Sequence, residues 1–182
     1  MSVIGIDTSN YTTSIAFFDG EGGENCSRLL RQAGGAGSAS VRRGIAHIKR
    51  CRSFPARLFS HIQKDAITAV GVSTRPRAVE GSYMPCHLVG YSHAKLLSDA
   101  LGVPLIEVSH QQGHVAASLW SAGRMDLLEK THLAWHLSGG TTELLLVEPE
   151  GRNVKCTRIG GTTDISAGQL IDRTGQLLDL LS

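Results

Sequence analysis

Val3-Ile4-Gly5-Ile6-Asp7-Thr8-Ser9-Asn10-Tyr11-Thr12-Thr13-Ser14-Ile15-Ala16-Phe17 opens the chain, and Leu133-Ala134-Trp135-His136-Leu137-Ser138-Gly139-Gly140-Thr141-Thr142-Glu143-Leu144-Leu145-Leu146 echoes it. Each copy is an apolar strand, a turn of small residues, a Thr-Thr pair and a second apolar strand. Similarity at so long an offset points to duplicated domains. Small residues between the strands let backbone N–H groups approach an anion, so the two copies read as the halves of a nucleotide-binding cleft.

Working outward, 2–8, 12–19 and 25–32 read as a three-strand meander. A Gly-rich loop follows at 34–38, then a helical pattern from Val41 to about Gln63, interrupted before Pro55. Residues 67–73 form an apolar strand that Arg75-Pro76-Arg77 ends. A helix from Leu88 to Leu101 closes at Gly102. Residues 103–108 read as a strand buried on both faces, because their apolar run is continuous. A helix follows from about His110 to Ala122. The second block has strands near 132–137, 142–148 and 154–159 and a helix from Asp164 to Leu180. The order is β-β-β-α-β-α-β-α, then β-β-β-α. This predicts a complete layered α/β domain over 1–125 and the start of a second, incomplete one over 126–182. An unfinished domain bares apolar surface, so self-association or a partner is expected.

The 182 residues are 41% hydrophobic and 19% charged, with 21 Gly and a formal net charge of +2. This excludes a disordered chain, and the charge is too small to mark nucleic-acid binding by itself. No basic region precedes an apolar stretch at the N-terminus, and no run approaches the roughly 18 apolar residues of a membrane span. Cys26, Cys51, Cys86 and Cys156 make no CxxC pair. Reduced thiols in a cytoplasmic protein, away from membranes, are the expectation.

Ser109-His110-Gln111-Gln112-Gly113-His114 places two imidazoles at i and i+4, on one helix face, where they can chelate a divalent ion. A capping or surface pair has the same spacing. The glutamate of an HExxH protease site is absent, so peptidase activity is not expected. Ser138-Gly139-Gly140 suits either a plain hairpin or a phosphate contact. Asp7, at the end of the first strand, is the candidate catalytic carboxylate; the alternative is an Asp bonding its own turn. Asp164 is placed to cap the last helix. Asp172, mid-helix, suits a ribose hydroxyl contact or a solvated face. Arg42, Arg43, Lys49, Arg50, Arg52 and Arg57 form a basic strip that suits a phosphate backbone or water. His87 and His93 read as structural or surface groups.

In order and spacing, Ile4-Gly5-Ile6-Asp7-Thr8-Ser9, the 110–114 segment, Ser138-Gly139-Gly140 and the stretch from Asp164 through Leu178 resemble the TsaD-type family, which forms N6-threonylcarbamoyladenosine in tRNA. The family has also carried the label O-sialoglycoprotein endopeptidase. The resemblance implies the actin-like ATPase fold with paired ribonuclease-H-like domains. It implies that His110 and His114 are ligands of a divalent metal, iron or zinc. It implies that His136, Leu137, Ser138, Gly139 and Gly140 contact an adenylate or ATP-type nucleotide, and that Asp172 binds its ribose. The implied reaction moves threonylcarbamoyl from its adenylate to N6 of the adenosine beside the anticodon, releasing AMP. The implied partners are tRNA, the nucleotide and the proteins of a threonylcarbamoylation complex. Asp7 stands where the family usually has Glu, Thr141 where it has His, and residues 75–83 replace a Gly-Pro-Gly loop. The family's third metal ligand lies beyond Ser182. These departures suggest a divergent, truncated member, the alternative being a noncatalytic paralogue that scaffolds a modification complex.

Overall fold

The computed structural model describes residues 2–9, 12–29, 39–51 and 64–178, and of 39–42 the backbone alone. The Gly-rich stretch at 34–38, the helical pattern beyond Cys51, and Arg52 and Arg57 lie outside these residues. The chain divides into two compact units, Met1–His110 and Gln111–Ser182.

In the first unit, β1 (Ser2–Asp7), β2 (Thr12–Phe18) and β3 (Gly23–Leu29) form an antiparallel meander. Helix α1 (Ala39–Cys51) leads to β4 (Ile67–Arg75), which pairs parallel with β1. Helix α2 (His87–Leu101) then leads to β5 (Leu105–Ser109), parallel to β4. The sheet order is β3-β2-β1-β4-β5. Alternation on β1 sends Ile4 and Ile6 inward, where they join Ile15, Ile67, Val70, Val72 and Ala94 in one core. Helix α2 packs on β1 and β4. It stops because Gly102 takes a left-handed φ of 66°, and the N–H groups of Gly102 and Val103 bond back to Asp99 and Ser98.

The expectation that β5 is buried on both faces is not met. It is an edge strand, Ile106 is 48% exposed, and Glu107 faces solvent. A continuous apolar run reads the same on a central strand and on an edge.

Helix α3 (His110–Ser121) begins at the last residue of the first unit. In the second unit, β6 (His132–Leu137), β7 (Thr142–Glu150) and β8 (Asn153–Gly161) form another antiparallel meander, in the order β6-β7-β8. One face packs Leu145, Val147 and Val154 against Val115 and Leu119 of α3. On β6, Leu133, Trp135 and Leu137 alternate onto the other face and are exposed. Gln112 is buried and donates from Nε2 to the Val154 carbonyl at 2.7 Å, so its amide is paired.

Helix α4 (Ala167–Leu177) starts later than expected, and its cap is Ser166 rather than Asp164. Ser166 is extended and its Oγ accepts the Gln169 N–H at 3.3 Å, the N3 contact of a cap. Asp164 belongs to the preceding turn, where its N–H donates to Thr162 Oγ1.

Each Thr-Thr pair spends its second hydroxyl on the helix that follows its own meander. Thr13 Oγ1 is 2.8 Å from Nδ1 of buried His47 in α1. Thr142 Oγ1 accepts the Ala167 N–H of α4 at 2.7 Å. The repeat in sequence is therefore a repeat in packing.

Candidate functional site

Asp7 ends β1, and the turn after it folds onto the carboxylate. Its Oδ1 accepts the Ser9 N–H at 2.6 Å, and its Oδ2 accepts from His110 Nδ1 at 2.9 Å. Burial opposes ionisation of Asp7, but the His110 hydrogen bond, the His110 charge and two bonds from Ser9 outweigh it. They hold the carboxyl well below the usual carboxylate range. With Nδ1 donating to Asp7, the other ring nitrogen of His110, Nε2, lies 3.4 Å from Ser9 Oγ.

The end of β1 is fixed from the opposite side by α2. Buried Thr8 donates from Oγ1 to the Cys86 carbonyl at 2.8 Å and accepts the Gly90 N–H at 3.0 Å. A Cβ on Gly90 would sit 2.8 Å from Thr8 Oγ1. Gly90→Ala is therefore expected to destabilise the protein by about 1–3 kcal/mol, although alanine is the better helix former. Urea unfolding checks this, and a variant as stable as the parent would refute the tight contact.

His87 is buried, and burial pushes its pKa down. Its Nδ1 donates to the Ser73 carbonyl at 3.0 Å, and its ring lies edge-on to His110 at 6.3 Å between centroids. This matches its reading as a structural group. His93 is exposed on α2 and bonds the Val89 carbonyl.

In the second unit, the Ser138–Thr141 turn is closed by its own side chains. Ser138 Oγ accepts the N–H groups of Gly140 at 3.2 Å and Thr141 at 3.0 Å, and lies 2.8 Å from Thr141 Oγ1. The first turn of α4 sits directly on this turn. Ser166 Oγ donates to the Gly139 carbonyl at 2.8 Å, and the Gly168 N–H donates to the Ser138 carbonyl at 3.3 Å. A Cβ on Gly168 would lie 2.6 Å from Gly139 Cα. Gly139 and Gly140 themselves face open space, which leaves the turn accessible from outside.

His114 and His136 also meet in this unit, with ring centroids 5.5 Å apart. Glu143, on the inward face of β7, is 4% exposed, an uncommon place for a carboxylate. Its Oε2 lies 3.7 Å from His136 Nδ1, and its Oε1 lies 3.7 Å from Arg158 Nε. Leu137 is exposed at the end of β6. Asp172 is exposed on α4, without a hydrogen-bond or ion-pair partner among the described residues.

The structure thus brings Asp7 to His110, His114 to His136, and Ser138–Gly140 to the start of α4. Among the described residues, no group of three or more His, Cys, Asp or Glu is placed to hold a metal. No helix of the described residues is long and apolar enough to cross a membrane. Thr8, Glu143, Ser166 and Gly168 were not singled out from sequence. Only Glu143 carried a signal, as an acidic residue at an inward position between Leu145 and the turn.

The family model for tRNA N6-adenosine threonylcarbamoyltransferase, TsaD, matches residues 43–182. A protein of that name from Sulfurihydrogenibium is 32% identical over 99% of this chain and 51% of its own length. One from Ralstonia pickettii is 31% identical over 99% of this chain and 50% of its own length. The chain therefore spans about half the length of these relatives. Among solved structures, YeaZ from Pseudomonas aeruginosa superposes with a TM-score of 0.50 at 11% identity, covering 86% of this chain and 63% of that one. The fold is of the actin-like ATPase, ribonuclease-H-like α/β class. With a family model covering most of its length and relatives above 30% identity, this chain belongs to the tRNA N6-adenosine threonylcarbamoyltransferase family.

Proposed function

We propose that the chain is the metal- and nucleotide-binding part of a cytoplasmic threonylcarbamoyl transferase acting on tRNA with the partner proteins of its complex. The observation that carries this reading is the Asp7–His110 hydrogen bond at 2.9 Å. A carboxylate on Nδ1 fixes the tautomer and aims Nε2, which is how proteins present an imidazole to a metal. His114 lies one helical turn further along α3, the spacing of a chelating pair. These donors fit iron or zinc, with imidazole nitrogen as the protein ligand. Asp7 is then a positioning carboxylate behind His110.

The Ser138–Gly140 turn would receive the adenylate, since its glycines admit close backbone approach, and exposed Asp172 would accept from the ribose hydroxyls. When bound, the divalent ion would polarise the transferred carbonyl. His110 and His114 would hold that ion, and the glycine turn would hold the phosphate of the adenylate.

The test has two arms. Elemental analysis after zinc loading should give near one equivalent in the parent and none in the His110→Ala/His114→Ala double variant. Calorimetric titration with AMP should give saturable binding that Gly140→Val weakens. A parent that takes up neither zinc nor AMP would overturn the reading.

A further inference from the structure

We propose that β6 is a self-pairing edge: two copies of this chain join β6 to β6, antiparallel across a two-fold axis. Their sheets then run on as β8-β7-β6-β6-β7-β8. The inference concerns the second unit alone and does not rest on the metal and nucleotide reading above.

The repeat itself leaves a place open. In the first unit, β1 opens the meander and lies between β2 and β4. In the second unit, β6 opens the same kind of meander, and among the described residues β7 is its single neighbour in the sheet. A strand edge of this kind is a template for another strand.

The edge also lacks the usual guards, which are charge and proline. Of the four edge strands among the described residues, β3 exposes Glu24 and Arg28, β5 exposes Glu107, and β8 exposes Lys155 and Arg158. On β6 there is no Asp, Glu, Lys, Arg or Pro. Instead Leu133, Trp135 and Leu137 share one face and are 60%, 64% and 58% exposed. Leu146 and Leu144 stand opposite Leu133 and Trp135 on that face, so the apolar stripe runs on into β7.

Complementarity selects the occupant. A copy presenting β3, β5 or β8 brings charge to the contact, whereas a second β6 sets apolar against apolar. With the axis at Trp135, Leu133 faces the partner's Leu137 and Trp135 faces the partner's Trp135. His136 faces the partner's Ala134, so no two imidazoles oppose each other. The contact is isologous and closes at two copies. It buries about 1,000 Å² over both copies, the size of a reversible interface, with a dissociation constant of about 1–100 μM.

The test is a charge swap at the axis. Sedimentation of the full chain across roughly 1–200 μM brackets that affinity and should show a monomer–dimer equilibrium. Trp135→Glu and Trp135→Lys each set like charges opposite one another, and each should weaken the dimer tenfold or more with the thermal transition retained. An equal mixture of the two should dimerise again. Leu133→Glu serves if the Trp135 variants do not fold. Leu96→Glu, at an exposed site on α2, should leave the dimer intact. A parent that stays monomeric overturns the proposal and leaves the edge to a strand from another protein. Assembly that grows beyond two copies, a Trp135→Glu dimer as tight as the parent's, or a mixture that stays monomeric also overturns it. Loss of the dimer in Leu96→Glu alone does the same, by placing the contact in the first unit.

Discussion

Asp7→Asn is expected to lower metal affinity at His110 by about 10–100-fold, the usual effect of removing the partner that orients a ligating histidine. The carboxylate accepts from His110 Nδ1 at 2.9 Å and from the Ser9 N–H at 2.6 Å. Asparagine can keep the Ser9 bond through its carbonyl oxygen. Its NH2 would then face the Nδ1–H of His110, donor against donor. The imidazole must turn away or shift its proton to Nε2, the nitrogen a metal needs bare. Zinc titration of the variant measures this, and an unchanged affinity would mean that Asp7 does not position His110.

The same substitution should lower stability at pH 7 by about 1–3 kcal/mol, the usual value of a charge-assisted hydrogen bond. The pH dependence has a fixed sign. The Asp7 carboxyl is held below its usual range in the folded state, so the unfolded chain takes up the proton first as pH falls. The stabilisation is present above about pH 4, where the unfolded carboxyl is ionised, and is lost as pH falls through the lower folded value. The stability gap between parent and Asp7→Asn should therefore be widest near neutrality and should narrow below about pH 4. Urea unfolding across pH measures it, and a gap that stays constant into acid would remove the charge from the account.

Periodicity explains why so much of the fold is legible. Strands such as Ser2–Asp7 alternate, helices such as His87–Leu101 end at a glycine, and the β-β-β-α order recurs because each meander must cover one face. What sequence does not carry is which of two equivalent local solutions is used. Asp164 and Ser166 are both good caps, and only the seat of α4 on the glycine turn selects Ser166. The apolar run of β5 fits a central strand as well as the edge it occupies. In the candidate site, Asp7 and His110 are each visible as residue types at strand and helix ends. Their pairing spans 103 residues and has no local signature. The same holds for Thr13 with His47 and Thr142 with Ala167, where hydroxyls that suit a phosphate are occupied by helices instead.

Gly168→Ala is expected to separate α4 from the glycine turn. Alanine in a helix is ordinarily worth up to about 1 kcal/mol more than glycine. Here the added Cβ would meet backbone: Gly139 Cα at 2.6 Å, the Ser138 carbonyl oxygen at 2.8 Å and Gly139 N at 3.0 Å. A side chain could swing aside, but these atoms belong to a turn held by Ser138 Oγ, and the helix start that carries Gly168 is itself held by Ser166 and Thr142. Overpacking of this kind costs about 1–3 kcal/mol, enough to outweigh the helix gain. Gly113→Ala in α3 is the matched control. Its Cβ would meet nothing within 4 Å, so the propensity gain should appear undiminished. Thermal unfolding should therefore move in opposite directions for the two variants. If the proposed adenylate contact is made at Ser138–Gly140, Gly168→Ala should also weaken AMP binding while Gly113→Ala leaves it intact. A Gly168→Ala protein that gains stability as Gly113→Ala does would show that the turn yields to the helix, and that its shape is not set by that contact.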